Sequence, residues 1–156
     1  MRLGGRVAAA IEILDDMAAR HRPVSEALRD WGVSHRFAGA ADRSAIGNLI
    51  YDVLRRRSSL AWVMGSETHR ALVLGALGHM WSMDSAAVTV AFDGDRHAPE
   101  APTPAEAAAM DRQDAGDDGS PWIMADVPEW LWASFEDGFE DDAIAEGQAL
   151  ATRPPL

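Results

Sequence analysis

The 156-residue chain carries 14 basic and 25 acidic side chains, a net charge of -11, no cysteine and 47% hydrophobic residues. The length suits one domain with a core of its own, and the missing cysteine excludes disulfides, thiolate metal sites and cysteine nucleophiles. Residues 1–70 hold 11 Arg against 8 Asp or Glu, whereas residues 71–156 hold 3 Arg against 17, so only the first part has a charge that suits phosphate contacts.

Helical spacing runs almost throughout. Leu3, Val7, Ala10, Ile11, Leu14, Met17 and Ala18 recur at steps of three and four, which predicts an amphipathic helix over 3–20. Pro23 suits the first turn of a second helix through Val24, Ala27, Leu28 and Trp31, with Gly32 as its stop. Asp42 is the expected N-cap of a third, whose stripe Ile46, Leu49, Ile50, Val53 and Leu54 ends in three arginines that complement the helix dipole. A short fourth helix carries Leu60, Trp62 and Val63 and stops at Gly65. Ser66 is the expected cap of a fifth through Ala71, Leu72, Leu74 and Ala76, and Asp84 of a sixth.

Residues 88–92 have strand propensity, but a lone strand has nothing to pair with, so helix is the expectation. Residues 93–121, rich in Asp, Pro and Gly, read as a flexible acidic insert within one domain of 1–156. Inside it, Thr103 and Glu106 form a capping box with Pro104 at the first helical position, so a helix to about Arg112 is expected. Pro128 opens a further helix through Trp130, Leu131 and Phe135, and a last one is expected from about Asp141 to Ala151.

The chemistry-bearing motifs are few. The histidines at 21, 35, 69, 79 and 97 lack metal-ligand spacing, and Asp111, Asp114, Asp117 and Asp118 lack the alternation of a calcium loop, so no metal is expected. No glycine-rich phosphate loop or nucleophile elbow is present, and no catalytic residue is assigned. No apolar stretch approaches the roughly 20 residues of a membrane span, and residues 1–6 lead into no signal-peptide core, which points to a cytoplasmic protein without a membrane partner.

At about 100° per residue, Asn48, Tyr51 and Arg55 oppose the apolar stripe of the third helix, with Arg56 at its flank. Such a face can stack a base and bind phosphates; equally, its arginines can cap the helix and pair with Asp52 or the acidic second half. Arg43, at the edge of the stripe, reads as a buried-edge salt bridge. Arg2 and Arg6 oppose the dipole of the first helix, which an external anion or a frayed terminus would explain. Trp122, Trp130 and Trp132 cannot all enter one core, so at least one should cover a groove or a partner.

Three segments, RVAAAIEIL at 6–14, DRSAIGNLIYDVLRR at 42–56 and DVPEWL at 126–131, together resemble the N-terminal, NusB-like domain of the RsmB/Sun (Fmu) family of ribosomal RNA cytosine-C5 methyltransferases. The pattern D-R-x(5)-L-[IV]-Y-x-[VI]-L-R-R is its most specific piece. The resemblance implies an all-α, compact NusB-like bundle of about seven or eight helices that positions ribosomal RNA and is catalytically silent alone. It implies RNA contacts at Arg2, Arg6, Asn48, Tyr51, Arg55 and Arg56, and docking of the chain's own C-terminal methyltransferase domain through the region of Trp122, Trp130 and Trp132. S-adenosylmethionine and the catalytic cysteines belong to that further domain, so no cofactor is expected in these residues. The alternative is a NusB-like protein-interaction module of a transcription antitermination type of complex.

Overall fold

Residues 71–77 alternate Leu, Val, Ala and Gly without one charge, and a helix apolar on every side belongs at the centre of a fold. The computed structural model, which describes residues 1–113 and 119–154, places them there, each nearly or wholly buried, in helix α5 (His69–His79). Helices α1 (Leu3–Arg20), α3 (Ala40–Arg55) and α4 (Arg57–Met64) pack around it, with α2 (Val24–Ser34) against α1. The central element is thus α5, and α3 contributes one apolar face, Ile46, Leu49, Ile50 and Val53.

Helix α6 (Ser85–Phe92) buries Val88 and Phe92, and α7 (Pro104–Met110) buries Met110; neither α6 nor any other described segment is a strand. The chain is all-α among the described residues. Helix α8 (Pro121–Met124), α9 (Glu129–Phe139), one 3-10 turn (Glu140–Asp142) and α10 (Ala143–Leu150) surround a second, smaller cluster of Ala125, Val127, Trp132 and Ala143. Close approach requires glycine at 147, because a Cβ there would lie 2.5 Å from the Ala125 carbonyl oxygen.

Several helix ends differ from the sequence reading, each for a local reason. Gly32 does not stop α2, which continues to Ser34; its carbonyl instead accepts from Arg43 Nη2 at 3.0 Å. Asp42 lies at the third position of α3 and accepts from the Gly39 N–H at 3.3 Å, so Gly39 takes the cap position. Thr68, not Ser66, caps α5 by accepting from the Ala71 N–H. Asp84 caps α6 and Thr103 with Glu106 closes the capping box of α7, as their spacing requires.

Of the expected insert, residues 93–113 make specific contacts. Asp95 accepts from the Gly5 N–H at the start of α1, and Arg70 donates to Glu106 and to the carbonyls of Glu100 and Ala101. Asp111 accepts from the N–H and hydroxyl of Ser85. Asp114, Asp117 and Asp118 lie outside the described residues.

Candidate nucleic-acid interface

The tail of α3 turns almost without a break into α4 at Arg56, and this elbow collects the arginines of 55–57. Tyr51 is 38% exposed, and the Arg55 guanidinium carbon lies 5.7 Å from its ring centroid, a cation–π pair on the solvent side of α3. Asn48, one turn earlier, is exposed. Arg56 has a buried Nε–H that meets no acceptor among the described residues. Its side chain lines two adjoining clefts, of about 660 and 510 Å³, that also share His79, Met80 and Thr152.

Beneath this face lies Asp52, only 2% exposed. Arg153, from beyond the last helix, donates Nε to Oδ1 at 2.8 Å and Nη2 to Oδ2, and Trp81 Nε1 donates to Oδ2 at 2.9 Å. Arg55 adds its charge at 3.7 Å. Burial alone would raise this carboxyl, but the bonds from Arg153 and Trp81 and the two positive charges outweigh it and hold Asp52 below the ordinary carboxylate range. Arg55 therefore answers both sequence readings: one side of it serves Asp52, and the guanidinium still covers Tyr51.

The DVPEWL segment is tied to the same elbow. Asp126, at φ 54°, accepts from the Ser59 N–H and hydroxyl, both at 2.8 Å, so a carboxylate 67 residues away caps the free N–H groups at the start of α4. Burial pushes its carboxyl above the ordinary value despite those bonds. The third resembling segment is thus tied to α4, just past the end of the second.

The N-terminal arginines separate. Arg6 is held by Asp42, Nε to Oδ1 at 3.0 Å, where the Met1 amino group also donates at 3.0 Å; the bonds of that amino group and of Arg6 keep the Asp42 carboxyl low. Arg6 therefore closes the α1–α3 contact. Arg2 stays exposed, with one bond to the Gly94 carbonyl at 3.2 Å. Arg43 is neither buried nor in a salt bridge as expected: it is exposed, and it donates to the carbonyls of Ala38 and Gly32, since the α2–α3 turn presents carbonyl oxygens there.

The tryptophans divide as their spacing demands. Trp132 is 8% exposed in the second core, Trp122 packs half-buried against it, and Trp130 is 81% exposed. Trp122 and Trp130 line a cleft of about 750 Å³ together with Trp62, Arg57 and Glu129. Sequence spacing missed Arg153, Trp81 and Asp126; a lone arginine after an acidic stretch was the single hint of the first. Among the described residues no group of three or more His, Asp or Glu is placed to hold a metal ion, and no helix is long and apolar enough to cross a membrane. Comparison of the chain with protein-family models, with curated proteins and with solved structures finds no match.

Proposed function

We propose that this domain binds and positions ribosomal RNA for a cytoplasmic, S-adenosylmethionine-dependent RNA cytosine-C5 methyltransferase whose catalytic domain is a separate unit C-terminal to it. The observation that carries the reading is the α3–α4 elbow, where Arg55, Arg56, Arg57 and Arg153 gather against Asp52 and Asp126 beside the exposed Tyr51 ring. Asp52 engages Arg153 and Arg55 and Asp126 accepts from Ser59, which leaves the exposed Arg57 and the outer guanidinium nitrogens of Arg55 and Arg56, for which no hydrogen bond is seen among the described residues, as the groups a phosphate would meet. An aromatic face flanked by guanidinium groups fits single-stranded or looped RNA better than a duplex.

In this reading Asn48, Tyr51, Arg55 and Arg56 touch RNA, Arg2 contributes from the far end of α1, and Arg6 acts on folding. The chemistry belongs to the catalytic domain, and Trp122 with Trp130 faces it. Titration of a labelled ribosomal RNA hairpin at several salt concentrations tests the reading: affinity falls with salt, and Tyr51→Ala, Arg55→Ala and Arg56→Ala each weaken it. A second reading, a protein-interaction module, draws on the 81% exposure of Trp130 on an acidic helix, and it gains if no RNA binds at low salt while a protein partner does.

A further inference from the structure

We propose that a slot between the start of α1 and the α2–α3 turn binds a guanine base. The reading of the domain as an RNA binder identifies where such a base comes from; the slot itself stands on its own geometry.

The floor of the slot is α1, where the small residues Gly5, Ala8 and Ala9 follow one another along one face, with the Met1 methyl and His97 beside Gly5. Its wall is aromatic. Trp31 and His35 stack with ring centroids 4.3 Å apart and 11° between planes, and Phe37 stands edge-on to His35 at 5.7 Å. Phe37 is 72% exposed although it is a large apolar ring beside a cavity. The space is about 380 Å³, within the roughly 300–1,000 Å³ usual for small-molecule sites, and an aromatic wall beside small floor residues suits a planar ring.

Polar groups then select the base. Glu12 lines the slot and accepts from Trp31 Nε1 at 3.3 Å through Oε2; Oε1 accepts nothing among the described residues. A carboxylate accepts only, so it matches an edge that presents two neighbouring donors. Guanine has that edge in its N1–H and amino group. Adenine and cytosine set a ring-nitrogen acceptor beside the amino group, which a carboxylate repels. Asp95, the other carboxylate here, is occupied by the N–H groups of Gly5 and His97 and caps α1. At the rim Arg2 spends one donor on the Gly94 carbonyl and keeps others for a phosphate. Sequence reading singled out Arg2 and passed over Trp31, His35 and Phe37, because the slot joins residues from three separate segments.

The test uses the whole 156-residue chain, labelled with 15N. GMP, AMP, CMP, UMP and guanosine are titrated while the Trp31 Nε1–H resonance is followed, and short single-stranded RNAs with and without guanine are titrated in parallel. GMP moves the resonance at lower concentration than the other nucleotides, and the guanine-containing RNA outbinds the guanine-free one. Phe37→Ala, at a site exposed enough to leave the fold intact, weakens GMP and guanine-containing RNA about fivefold or more. Glu12→Gln removes the preference over AMP, and Arg2→Ala weakens GMP but not guanosine.

If RNA binds with no guanine preference and Phe37→Ala changes nothing, the slot proposal falls while the RNA reading stands. If GMP binds at Trp31 and no RNA binds, the slot is a free-nucleotide site and the RNA reading falls. A Trp31 resonance unmoved by every nucleotide and by guanine-containing RNA overturns the proposal.

Discussion

The Arg153–Asp52 fork spans 101 residues and closes the last segment over the tail of α3, so cutting it tests both the fold and the site. Asp52→Asn keeps one acceptor oxygen, enough for Trp81, but removes the charge and one arm of the fork. A hydrogen bond to a charged group contributes about 1.5–3 kcal/mol when well shielded. Arg153 is 48% exposed, which screens the pair and lets the released guanidinium return to water, so the expected cost is about 1–2 kcal/mol. For a domain of this size that lowers Tm by roughly 3–7 °C.

Thermal melts of Asp52→Asn, Arg153→Gln and the double variant form the assay, and the cycle should return a coupling of about 1 kcal/mol. Asp52 has a folded-state pKa below its unfolded value. Its contribution is therefore present above about pH 4 and lost as pH falls through the folded value, so the gap between wild type and Asp52→Asn closes on acidification. An unchanged Tm at neutral pH, or a gap that does not begin to shrink as pH is lowered below about 4, refutes the reasoning.

Gly147→Ala forces a Cβ against the Ala125 carbonyl and should cost about 1–3 kcal/mol in a chemical denaturation curve, while the same change at Gly138, where a Cβ meets nothing within 4 Å, should not destabilise. Asp126→Ala should lose about 1–2 kcal/mol by uncapping α4, whereas Asp126→Asn keeps the cap and is near neutral at pH 7. Because Asp126 has a raised folded pKa, its contribution is fully present below the unfolded value and lost as pH rises through the folded one. Wild type therefore gains on Asp126→Asn as pH is lowered from 7 toward 4 in paired melts.

Periodicity revealed most helices because each solvent-facing one alternates its faces; α1 lies where its spacing puts it, and α6 and α7 start where their capping residues put them. The centrality of α5 was hidden by the same rule, since a helix buried on all sides has no stripe to read. Gly32 and Ser66 misled because each has a second use. The Gly32 carbonyl accepts from Arg43, and the Ser66 hydroxyl bonds the Thr68 hydroxyl two residues before the cap. At the site, Asn48, Tyr51 and Arg55 share one helix and Arg56 follows at its end, so local spacing groups them. The partners of Asp52 and Ser59 arrive from 101 and 67 residues away, and no local pattern encodes such distances. Arg6 looked like an anion contact because its acceptor, Asp42, was assigned to its own helix cap.

The account turns on whether the elbow of α3 and α4 holds RNA. Binding of a labelled ribosomal RNA hairpin, measured from low to physiological salt for the wild type, Arg55→Ala, Arg56→Ala and Tyr51→Ala, tests it most directly. The account predicts measurable affinity at low salt, a log–log salt slope that falls by about one for each arginine removed, and a loss with Tyr51→Ala that leaves the slope unchanged. No binding at low salt, or binding indifferent to all three substitutions, would contradict it.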